Sequence, residues 1–248
     1  MKALIFAAGL GTRLKPLTET MPKALVPVNS KPLLEHAVLK LKATGVTETI
    51  INVHHFADQI IDFIHSRNNF DIRIEFSDER NLLLDTGGGL KKTSWFFDDN
   101  RPFFVYNVDI LSDVDLKQMY ASHLQSKPLS TIFVNERKTN RYLLFNDENK
   151  LTGWHNQLTG ETKPQDIAII PEKFNQLAFN GIHIISPEIF PLMKDWPDKF
   201  SIIDFYLSIA KKSDIRAFQQ HDVQIVDVGK IETLLSFRKR SEESNPNL

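Results

Sequence analysis

The chain has 248 residues, of which 42% are hydrophobic and 25% charged, a composition typical of a globular protein with a substantial core. Its formal net charge of −1 argues against nucleic acid as a partner, and the absence of cysteine excludes disulfides and thiolate metal sites. The sequence contains no run of about twenty apolar residues, so it predicts no membrane span. Its first apolar run is too short for a secretory signal and leads directly into a glycine-containing loop, so we expect a cytoplasmic protein.

The first half of the sequence alternates strand and helix patterns. Residues 3–8 form a continuous apolar run, typical of a strand buried on both faces, and residues 33–41 carry apolar side chains at helical spacing. This β-α-β-α order predicts an α/β fold, a Rossmann-like three-layer sandwich with a mostly parallel mixed central sheet. Further strands are predicted at residues 49–53, 72–76, 102–108 and 130–134, and further helices at residues 56–64, 90–97 and 116–124.

The pattern changes beyond residue 135, where the predicted strands have no long helices between them. Because no low-complexity linker interrupts the chain, we expect a single domain over residues 1–240, followed by a polar tail at residues 241–248. Strands are predicted in this part at residues 142–145, 150–155 and 178–185, and helices at residues 202–210 and 231–240.

The segment from residue 4 to residue 23 indicates a site for a polyphosphate. The first apolar run ends at Gly9, Gly11 and Arg13 follow closely, and Lys23 comes directly after a proline. Glycine lets a backbone approach a ligand, and arginine and lysine supply positive charge for phosphate oxygens. The P-loop spacing and the G-x-G-x-x-G dinucleotide fingerprint are both excluded, because their later positions are not matched here.

These residues carry a resemblance to a known family. The letters G-L-G-T-R at residues 9–13 and P-K at residues 22–23 match the signature of sugar-1-phosphate nucleotidyltransferases, also called nucleotide-sugar pyrophosphorylases. The resemblance implies a Mg²⁺-dependent transfer of a nucleotidyl group from a nucleoside triphosphate to a sugar 1-phosphate, with release of pyrophosphate. It implies catalytic roles for Arg13 and Lys23. The nucleotide-binding residues that it implies in this segment are Ala8, Gly9, Gly11, Thr12, Arg13 and Lys23.

A second glycine-rich segment, L-D-T-G-G-G at residues 84–89, precedes the helix expected from Leu90 onward. A helix amino terminus with glycines offers backbone donors to a ligand, whereas the plain alternative is a loop in which Thr86 caps the helix. The segment resembles the L-E-T-G-G-G of N-acetylmuramate-1-phosphate uridylyltransferases, and T-G-G also occurs in relatives that use guanosine nucleotides. This resemblance implies that Thr86, Gly87 and Gly88 bind the nucleotide.

Two aspartates follow predicted strands and suggest a metal site. Asp109 lies in Y-N-V-D-I and Asp227 in V-D-V-G, and two such carboxylates can meet at one Mg²⁺. The family carries its metal on G-D and D-V-G motifs, so the resemblance implies this role for Asp109 and Asp227. Val108 stands where the family has glycine, and Lys230 stands where it has threonine. Because ligands bind at the carboxyl ends of strands in such sheets, we expect Asp109 and both glycine segments to converge on one edge.

A third motif concerns the sugar. The letters F-N-G-I at residues 179–182 resemble the F-x-G-I segment that lines the sugar pocket in the family. The resemblance implies that Asn107, Asn180 and Gly181 contact the sugar. It also implies a nucleotide-binding half at residues 1–135 and a sugar-binding half at residues 136–240.

The substrates stay open at this point. The residue sequence of the motifs favours UTP with N-acetylmuramate 1-phosphate. The second candidate is GTP with mannose or heptose 1-phosphate, the substrates that a resemblance to mannose-1-phosphate guanylyltransferase-like proteins implies. CTP with phosphocholine is a further alternative. A nucleotide-sugar-binding regulatory subunit without catalysis is the non-enzyme alternative, supported only by Val108 and Lys230. We expect no nucleic-acid or membrane partner, and either a monomer or a homodimer.

Overall fold

The computed structural model describes residues 1–165, 169–229 and 231–236. Lys230 and the expected polar tail at residues 241–248 lie outside the described residues, so the expectations that concern them stay predictions. Among the helices within the described ranges, none has both the length and the apolar character needed to cross a lipid bilayer.

The chain forms two compact units, each assembled from separate stretches of the sequence. The first unit comprises Met1–Leu83, Tyr106–Val114 and the described residues from Val223 onward. The second unit comprises Leu84–Val105 and Asp115–Asp222. The division into a nucleotide-binding half and a sugar-binding half concerns function, and it stays a prediction.

The strands are rich in β-branched and aromatic residues, which pack well on a pleated surface. The residues of strand β6 are divided between the units: its first three residues belong to the second unit and its last two to the first. The strands are β1 (Lys2–Phe6), β2 (Pro27–Val28), β3 (Lys31–Pro32), β4 (Glu48–Val53), β5 (Arg73–Asp78), β6 (Phe103–Asn107), β7 (Ile110–Ser112), β8 (Ser130–Asn135), β9 (Arg141–Phe145), β10 (Leu151–Asn156), β11 (Thr162–Lys163), β12 (Asn175–Ile185), β13 (Ile215–Phe218) and β14 (Ile225–Asp227).

The helices separate the strands through most of the first half, as the sequence pattern predicts. Residues 231–236 are also helical and cover the described part of the helix predicted at residues 231–240. The named helices are α1 (Leu33–Thr44), α2 (Ala57–Ser66), α3 (Asp85–Lys92), α4 (Leu116–Ser126), α5 (Ile189–Leu192) and α6 (Ile202–Ile209).

Local capping explains where several helices begin and end. The Asp115 carboxylate accepts hydrogen bonds from two backbone N–H groups at the start of α4, and the Ser201 hydroxyl accepts one at the start of α6. Gly45 ends α1 with φ of 105°, a left-handed conformation that glycine adopts without steric cost. These caps satisfy backbone groups that would otherwise lack a partner at the helix ends.

The first unit contains a parallel β-structure in which β4 pairs with β1 on one side and with β5 on the other. Leu4 lies opposite Ile50 in the first pair, and Ile51 lies opposite Phe76 in the second. Leu4, Ile50 and Ile51 are fully buried, as expected for strands covered on both faces. Parallel strands end at the same edge, so the loops that follow β1 and β4 leave from neighbouring positions.

The second unit is mostly antiparallel. Strand β12 pairs with β9 at its beginning and with β8 over its later part, and β9 continues through β10 to β11. Strand β13 runs parallel to β8 on its other edge. The register of β12 against β8 shifts between Phe179 and His183, and Gly181 lies in this irregular segment with φ of 70°. The predicted F-N-G-I motif is therefore a β-bulge.

The helix predicted from Leu90 onward starts earlier than expected, because α3 begins at Asp85 and contains all three glycines of the L-D-T-G-G-G segment. Glycine is a poor helix former, which is why the sequence pattern assigned these residues to a loop. Their glycine identity has another reason: in the second unit, a Cβ on Gly87 would collide with the Phe200 ring, and one on Gly88 with the Asp198 carbonyl. Tertiary packing here overrides local helix propensity.

Candidate active site

The loop that follows β1 is fixed at its start by a side chain of β4. Strand β1 ends at Phe6, and the next two backbone N–H groups, of Ala7 and Ala8, both donate to the side-chain oxygen Oδ1 of Asn52, over 2.7 and 3.1 Å. Ala7 and Ala8 are buried, so these donors have a protein partner in place of water. Gly9 follows directly, at the position from which the predicted phosphate loop departs.

Gly11 forms the turn that presents Arg13. Its φ of 66° is left-handed, and a Cβ there would lie 2.8 Å from the Thr18 methyl group and 3.0 Å from Lys23 Cβ. The Thr18 hydroxyl donates to the Gly11 carbonyl over 2.9 Å and secures the turn. Arg13 then lies in a single 3-10 turn, Thr12–Leu14, with its side chain exposed. The glycine identity of position 11 is thus required both by φ and by close packing.

Lys23 is paired with a carboxylate from a distant part of the sequence. Its Nζ lies 2.9 Å from Asp109 Oδ2, and the side chains are only 15% and 11% exposed. A Cβ on Gly9 would lie 3.5 Å from the same Nζ. The first glycine of the motif, the predicted phosphate-binding lysine and the predicted metal-binding Asp109 therefore lie together in the first unit.

Asp227 joins this group through β14, which pairs antiparallel with β7 and places Asp227 opposite Ile110. The Val228 N–H donates to the Asp109 carbonyl over 3.0 Å, which fixes the two aspartate segments side by side. The Gly229 N–H donates to Asp227 Oδ1 over 2.9 Å and orients that carboxylate. Asp109 and Asp227 are therefore brought together from strand ends, as the sequence predicts.

Gly229 marks the point at which the charged groups converge. A Cβ built on it would lie 2.6 Å from Asp109 Oδ2, 2.9 Å from Asp227 Oδ1 and 3.4 Å from Arg13 Nη2. Two carboxylate oxygens and one guanidinium thus surround a position where the chain has only hydrogen. We call Arg13, Lys23, Asp109 and Asp227 the charged cluster.

The donor set of the charged cluster fits Mg²⁺, which takes one or two carboxylates and fills its remaining positions with water and substrate phosphates. Over the described ranges, no group of three or more His, Cys, Asp or Glu side chains is placed to hold a metal. An ion bound by Asp109 and Asp227 would therefore need further oxygen ligands from water or a substrate.

The electrostatics of the site extend to a neighbouring tyrosine. Tyr106 is fully buried, and its hydroxyl donates to the Ile110 carbonyl over 2.9 Å. Burial, and secondarily the negative charge of Asp109, raise the pKa of Tyr106. Its hydroxyl is consequently neutral and acts as a fixed donor that holds the turn carrying Asp109.

Two further expectations concern this turn. Asn107 is the last residue of β6 and half-buried, and its predicted contact with the sugar stays a prediction. Val108, where the family has glycine, is buried, and its N–H donates to the Phe6 carbonyl over 3.2 Å. The valine therefore packs within the first unit at the end of the strand.

The T-G-G segment lies in the second unit, and its backbone is engaged there. The N–H groups of Gly87 and Gly88 donate to the Phe200 carbonyl over 2.8 and 3.3 Å, so the expectation that they are free backbone donors is wrong. The Thr86 hydroxyl accepts from the Ile202 N–H over 3.0 Å and thereby caps α6, not its own helix. The nucleotide-binding role of these three residues stays a prediction.

The predicted sugar-binding Asn180 is oriented by an arginine. In the second unit, Arg137 Nε donates to Asn180 Oδ1 over 3.2 Å, and Arg137 Nη2 donates to the Phe179 carbonyl over 3.1 Å. The amide nitrogen Nδ2 of Asn180 is buried and, among the residues described, has no hydrogen-bond partner. A buried donor of this kind suits a ligand oxygen.

Sequence reasoning missed Asn52 and Arg137, which hold predicted site residues in place. Asn52 interrupts the apolar strand T-I-I-N-V, and a polar residue buried in such a run is a signal that was available. Arg137 follows β8 in a charged stretch, E-R-K, where nothing distinguishes it from solvent-exposed neighbours.

A Rossmann-like α/β fold whose parallel strands end at a glycine loop and an acidic turn defines a nucleotide-binding class of protein. The chain belongs to the nucleotidyl transferase family, which it matches over residues 2–243. This match confirms the resemblance inferred from the motifs.

Three curated relatives show how far the similarity extends. The chain is 32% identical to UTP–glucose-1-phosphate uridylyltransferase of Synechocystis sp. over 205 residues, 76% of this chain and 50% of that protein. It is 39% identical to mannose-1-phosphate guanyltransferase of Aspergillus fumigatus over 138 residues, 55% of this chain and 38% of that protein. With N-acetylmuramate alpha-1-phosphate uridylyltransferase of Caulobacter vibrioides it shares 32% identity over 217 residues, 84% of each chain. The chain thus spans half or less of the first two relatives and most of the third.

Solved structures confirm the fold. HddC from Yersinia pseudotuberculosis complexed with GMP-PN is 25% identical, with a TM-score of 0.74 over 97% of this chain and 99% of that one. A UDP-glucose pyrophosphorylase complexed with UDP-glucose is 20% identical, with a TM-score of 0.78 over 98% of both chains. The predicted Rossmann-like fold with a mixed, mostly parallel central sheet is therefore correct.

Proposed function

We propose that the protein catalyses the Mg²⁺-dependent transfer of a nucleotidyl group from a nucleoside triphosphate to a sugar 1-phosphate, with release of pyrophosphate. The observation that carries this proposal is the convergence of Arg13, Asp109 and Asp227 around Gly229, with Lys23 paired to Asp109. Family membership makes nucleotidyl transfer the natural chemistry for such a cluster. We further propose a cytoplasmic protein that acts as a monomer or a homodimer.

The charges of the cluster suit this reaction. Both reactants are anionic, and a phosphate oxygen of the sugar 1-phosphate attacks the α-phosphorus while pyrophosphate leaves in line. Arg13, which is exposed, is placed to hold the leaving pyrophosphate and stabilise its growing charge, and Lys23 bridges the α-phosphate and the incoming phosphate. The attacking phosphate is already ionised at neutral pH, so positioning and charge stabilisation supply most of the rate.

Asp109 and Asp227 would hold the metal ion; the Gly229 N–H orients the Asp227 carboxylate, and the Val228 N–H holds the backbone of Asp109 beside it. When bound, Mg²⁺ neutralises phosphate charge and orients the triphosphate. In the structure Lys23 is paired with Asp109. If Asp109 binds the metal ion instead, the Lys23 ammonium is released to contact a phosphate group. The protein's own contribution is therefore to keep charged groups ready at fixed positions.

The motif wording supports UTP with N-acetylmuramate 1-phosphate as the substrates. L-D-T-G-G-G is similar to the uridylyltransferase motif, and the Caulobacter uridylyltransferase is similar over most of its length. GTP with mannose or heptose 1-phosphate is the second candidate, favoured by the GMP-PN complex of HddC and by the Aspergillus guanyltransferase. The sugar contacts proposed are Asn107, Asn180 and Gly181, which leaves CTP with phosphocholine a weaker alternative.

A regulatory subunit that binds nucleotide sugars without catalysis is the non-enzyme alternative. Its support is limited to two residues that depart from the family pattern, Val108 and Lys230. The retained geometry of Arg13, Lys23 and the two aspartates argues against it, because a binding module needs no such charged cluster.

The deciding experiment is pyrophosphate release by the purified protein with Mg²⁺, using UTP, GTP, CTP, ATP and dTTP against N-acetylmuramate, mannose, heptose and glucose 1-phosphates and phosphocholine. Turnover confined to UTP with N-acetylmuramate 1-phosphate is the expected result. Turnover with GTP and mannose or heptose 1-phosphate would establish the second candidate. If folded protein releases no pyrophosphate with any substrate pair, the enzyme proposal is overturned and the regulatory-subunit hypothesis remains.

A further inference from the structure

The carboxamide of Asn52 lies where β1 and β4 separate. Phe6 and Asn52 form the last registered pair of the two parallel strands. Beyond this pair the backbone N–H groups of Ala7 and Ala8 turn to Asn52 Oδ1, at 2.7 and 3.1 Å, in place of a strand carbonyl. One side-chain oxygen therefore continues the hydrogen bonding of the sheet for two more residues, up to Gly9.

A buried carboxylate determines which way this carboxamide faces. Asn52 Nδ2 donates to Glu79 Oε1 over 2.8 Å, and the two residues are only 3% and 1% exposed. The nitrogen end of the amide donates to Glu79, and the other end must be the oxygen because it meets two backbone N–H groups, which can only donate. The oxygen end is then directed at the Ala7 and Ala8 donors.

The backbone of Glu79 is itself secured beyond the end of β5. Its N–H donates to the Val53 carbonyl over 2.7 Å, and its carbonyl is 2.7 Å from His54 Nδ1. The carboxylate is thus attached to the parallel strands at a fixed position. A continuous chain of contacts runs from this point through Asn52 to the loop that carries Gly9.

We infer that Asn52 is a positioning residue for the nucleotide loop, and that Glu79 acts through it by setting the orientation of its carboxamide. The inference rests on the proposed function, because it assigns to this pair the placement of Gly9, Gly11 and Arg13 for a nucleoside triphosphate. Neither Asn52 nor Glu79 has to touch the nucleotide. Their effect is on the backbone that does.

The first test compares Asn52→Ala with a matched control, Ser77→Ala. Ser77 lies opposite Asn52 in β5 and is equally buried, and its hydroxyl has no hydrogen-bond partner among the residues described. We expect Asn52→Ala to accelerate amide hydrogen exchange at Ala7 and Ala8, and to weaken Mg²⁺-dependent binding of UTP and GTP by about tenfold or more. The KM for the sugar phosphate should change by less than about twofold, and Ser77→Ala should alter none of these values.

The second test exchanges the carboxamide of residue 52 and the carboxylate of residue 79. Asn52→Asp alone places a carboxylate against Glu79, and we expect the same loss of nucleotide binding. The double variant Asn52→Asp with Glu79→Gln restores the pattern, because the new carboxamide donates to the new carboxylate, which still accepts from Ala7 and Ala8. We expect it to recover nucleotide affinity to within about threefold of the unmodified protein.

Several outcomes would overturn the inference. One is unchanged nucleotide binding in Asn52→Ala. Another is equal losses in Asn52→Ala and Ser77→Ala, which would indicate a general packing effect. A third is failure of the double variant to improve on Asn52→Asp when both are folded. If the unmodified protein binds nucleotides but releases no pyrophosphate, the proposed function fails, whereas the exchange and binding measurements still decide the role of Asn52.

Discussion

The absence of a side chain at position 229 sets how closely Asp109 and Asp227 approach each other. The space that a Cβ would fill is bordered by an oxygen from each carboxylate and by the Arg13 guanidinium. No left-handed φ is involved, so alanine here would be resisted by its neighbours and not by its own backbone. Single residues in this site therefore divide into those that supply charge and those that leave room for it.

Gly229→Ala is expected to reduce pyrophosphate-releasing activity by about tenfold or more, because the new methyl group pushes the two carboxylates apart. The melting temperature should change little, since the atoms that a Cβ at position 229 would displace are the ends of side chains and not backbone. A steady-state assay at varied Mg²⁺ concentration, together with thermal unfolding, checks both parts. Full activity at every Mg²⁺ concentration would show that the spacing of Asp109 and Asp227 does not matter.

Arg13→Ala is expected to lower the rate by a factor on the order of 10² to 10⁴, because it removes charge stabilisation of the leaving pyrophosphate. Its side chain is exposed, so the free energy of unfolding should stay nearly constant. Lys15→Ala is the matched control, since Lys15 is an exposed cation two residues further on. Equal turnover in the two variants would remove Arg13 from the mechanism.

Helix α3 shows how an element can follow tertiary packing against its own propensity. Its three glycines disfavour a helix, yet they allow the helix to approach the backbone at Phe200 closely. The Phe200 carbonyl accepts hydrogen bonds from the N–H groups of Gly87 and Gly88. In strand β12 a glycine also marks a departure from regular structure, because Gly181 has a positive φ within a bulge in the pairing with β8. In both elements glycine marks a close approach or an unusual turn.

Gly88→Ala should reverse the usual effect of that substitution in a helix. Alanine normally stabilises a helix by about 0.5–1 kcal/mol relative to glycine. Here the methyl group would overlap the Asp198 carbonyl, so we expect the free energy of unfolding to fall by about 1–3 kcal/mol. Urea denaturation measures the sign directly, and a more stable variant would contradict the packing argument.

Much of the fold was predictable at the scale of elements, and the reasons for the exceptions are physical. The buried strands β1 and β6 follow from continuous apolar runs, and β4 follows from its β-branched residues. The Asp109 and Asp227 turns follow because both lie at strand ends. The start of α3 was not predictable from propensity, and neither was the pairing of β7 with β14, which joins distant parts of the sequence. Asn52 was visible as a polar residue in an apolar strand, but its partner Glu79 was not.

On the scale of the whole molecule, buried histidines link stability to pH. In the second unit, burial lowers the pKa of His123 to about 4 and that of His183 to about 3, from 6.5. His123 is bonded to Thr131 and Ser186, and His183 to the Tyr206 hydroxyl. Both imidazoles are therefore kept neutral in the folded protein.

The folded protein should lose stability in mild acid because the unfolded chain binds these protons first. A depressed folded-state pKa leaves stability intact above pH 6.5 and removes it as pH falls toward the folded values, at about 1.4 kcal/mol per pH unit for each histidine. Urea unfolding between pH 7.5 and pH 5 measures the slope, and His183→Gln should lessen it. A slope that His183→Gln leaves unchanged would show that this histidine does not contribute.

Asp227 reaches the charged cluster on β14, whereas Arg13 and Lys23 come from the segment between β1 and β2. During synthesis, the amino-terminal glycine loop leaves the ribosome long before its acidic counterpart exists. A polypeptide released before β14 has the cations and Asp109 but lacks the second carboxylate. The charged cluster can therefore assemble only after β14 has been synthesised, and a chain that stops before β14 lacks one of its two carboxylates.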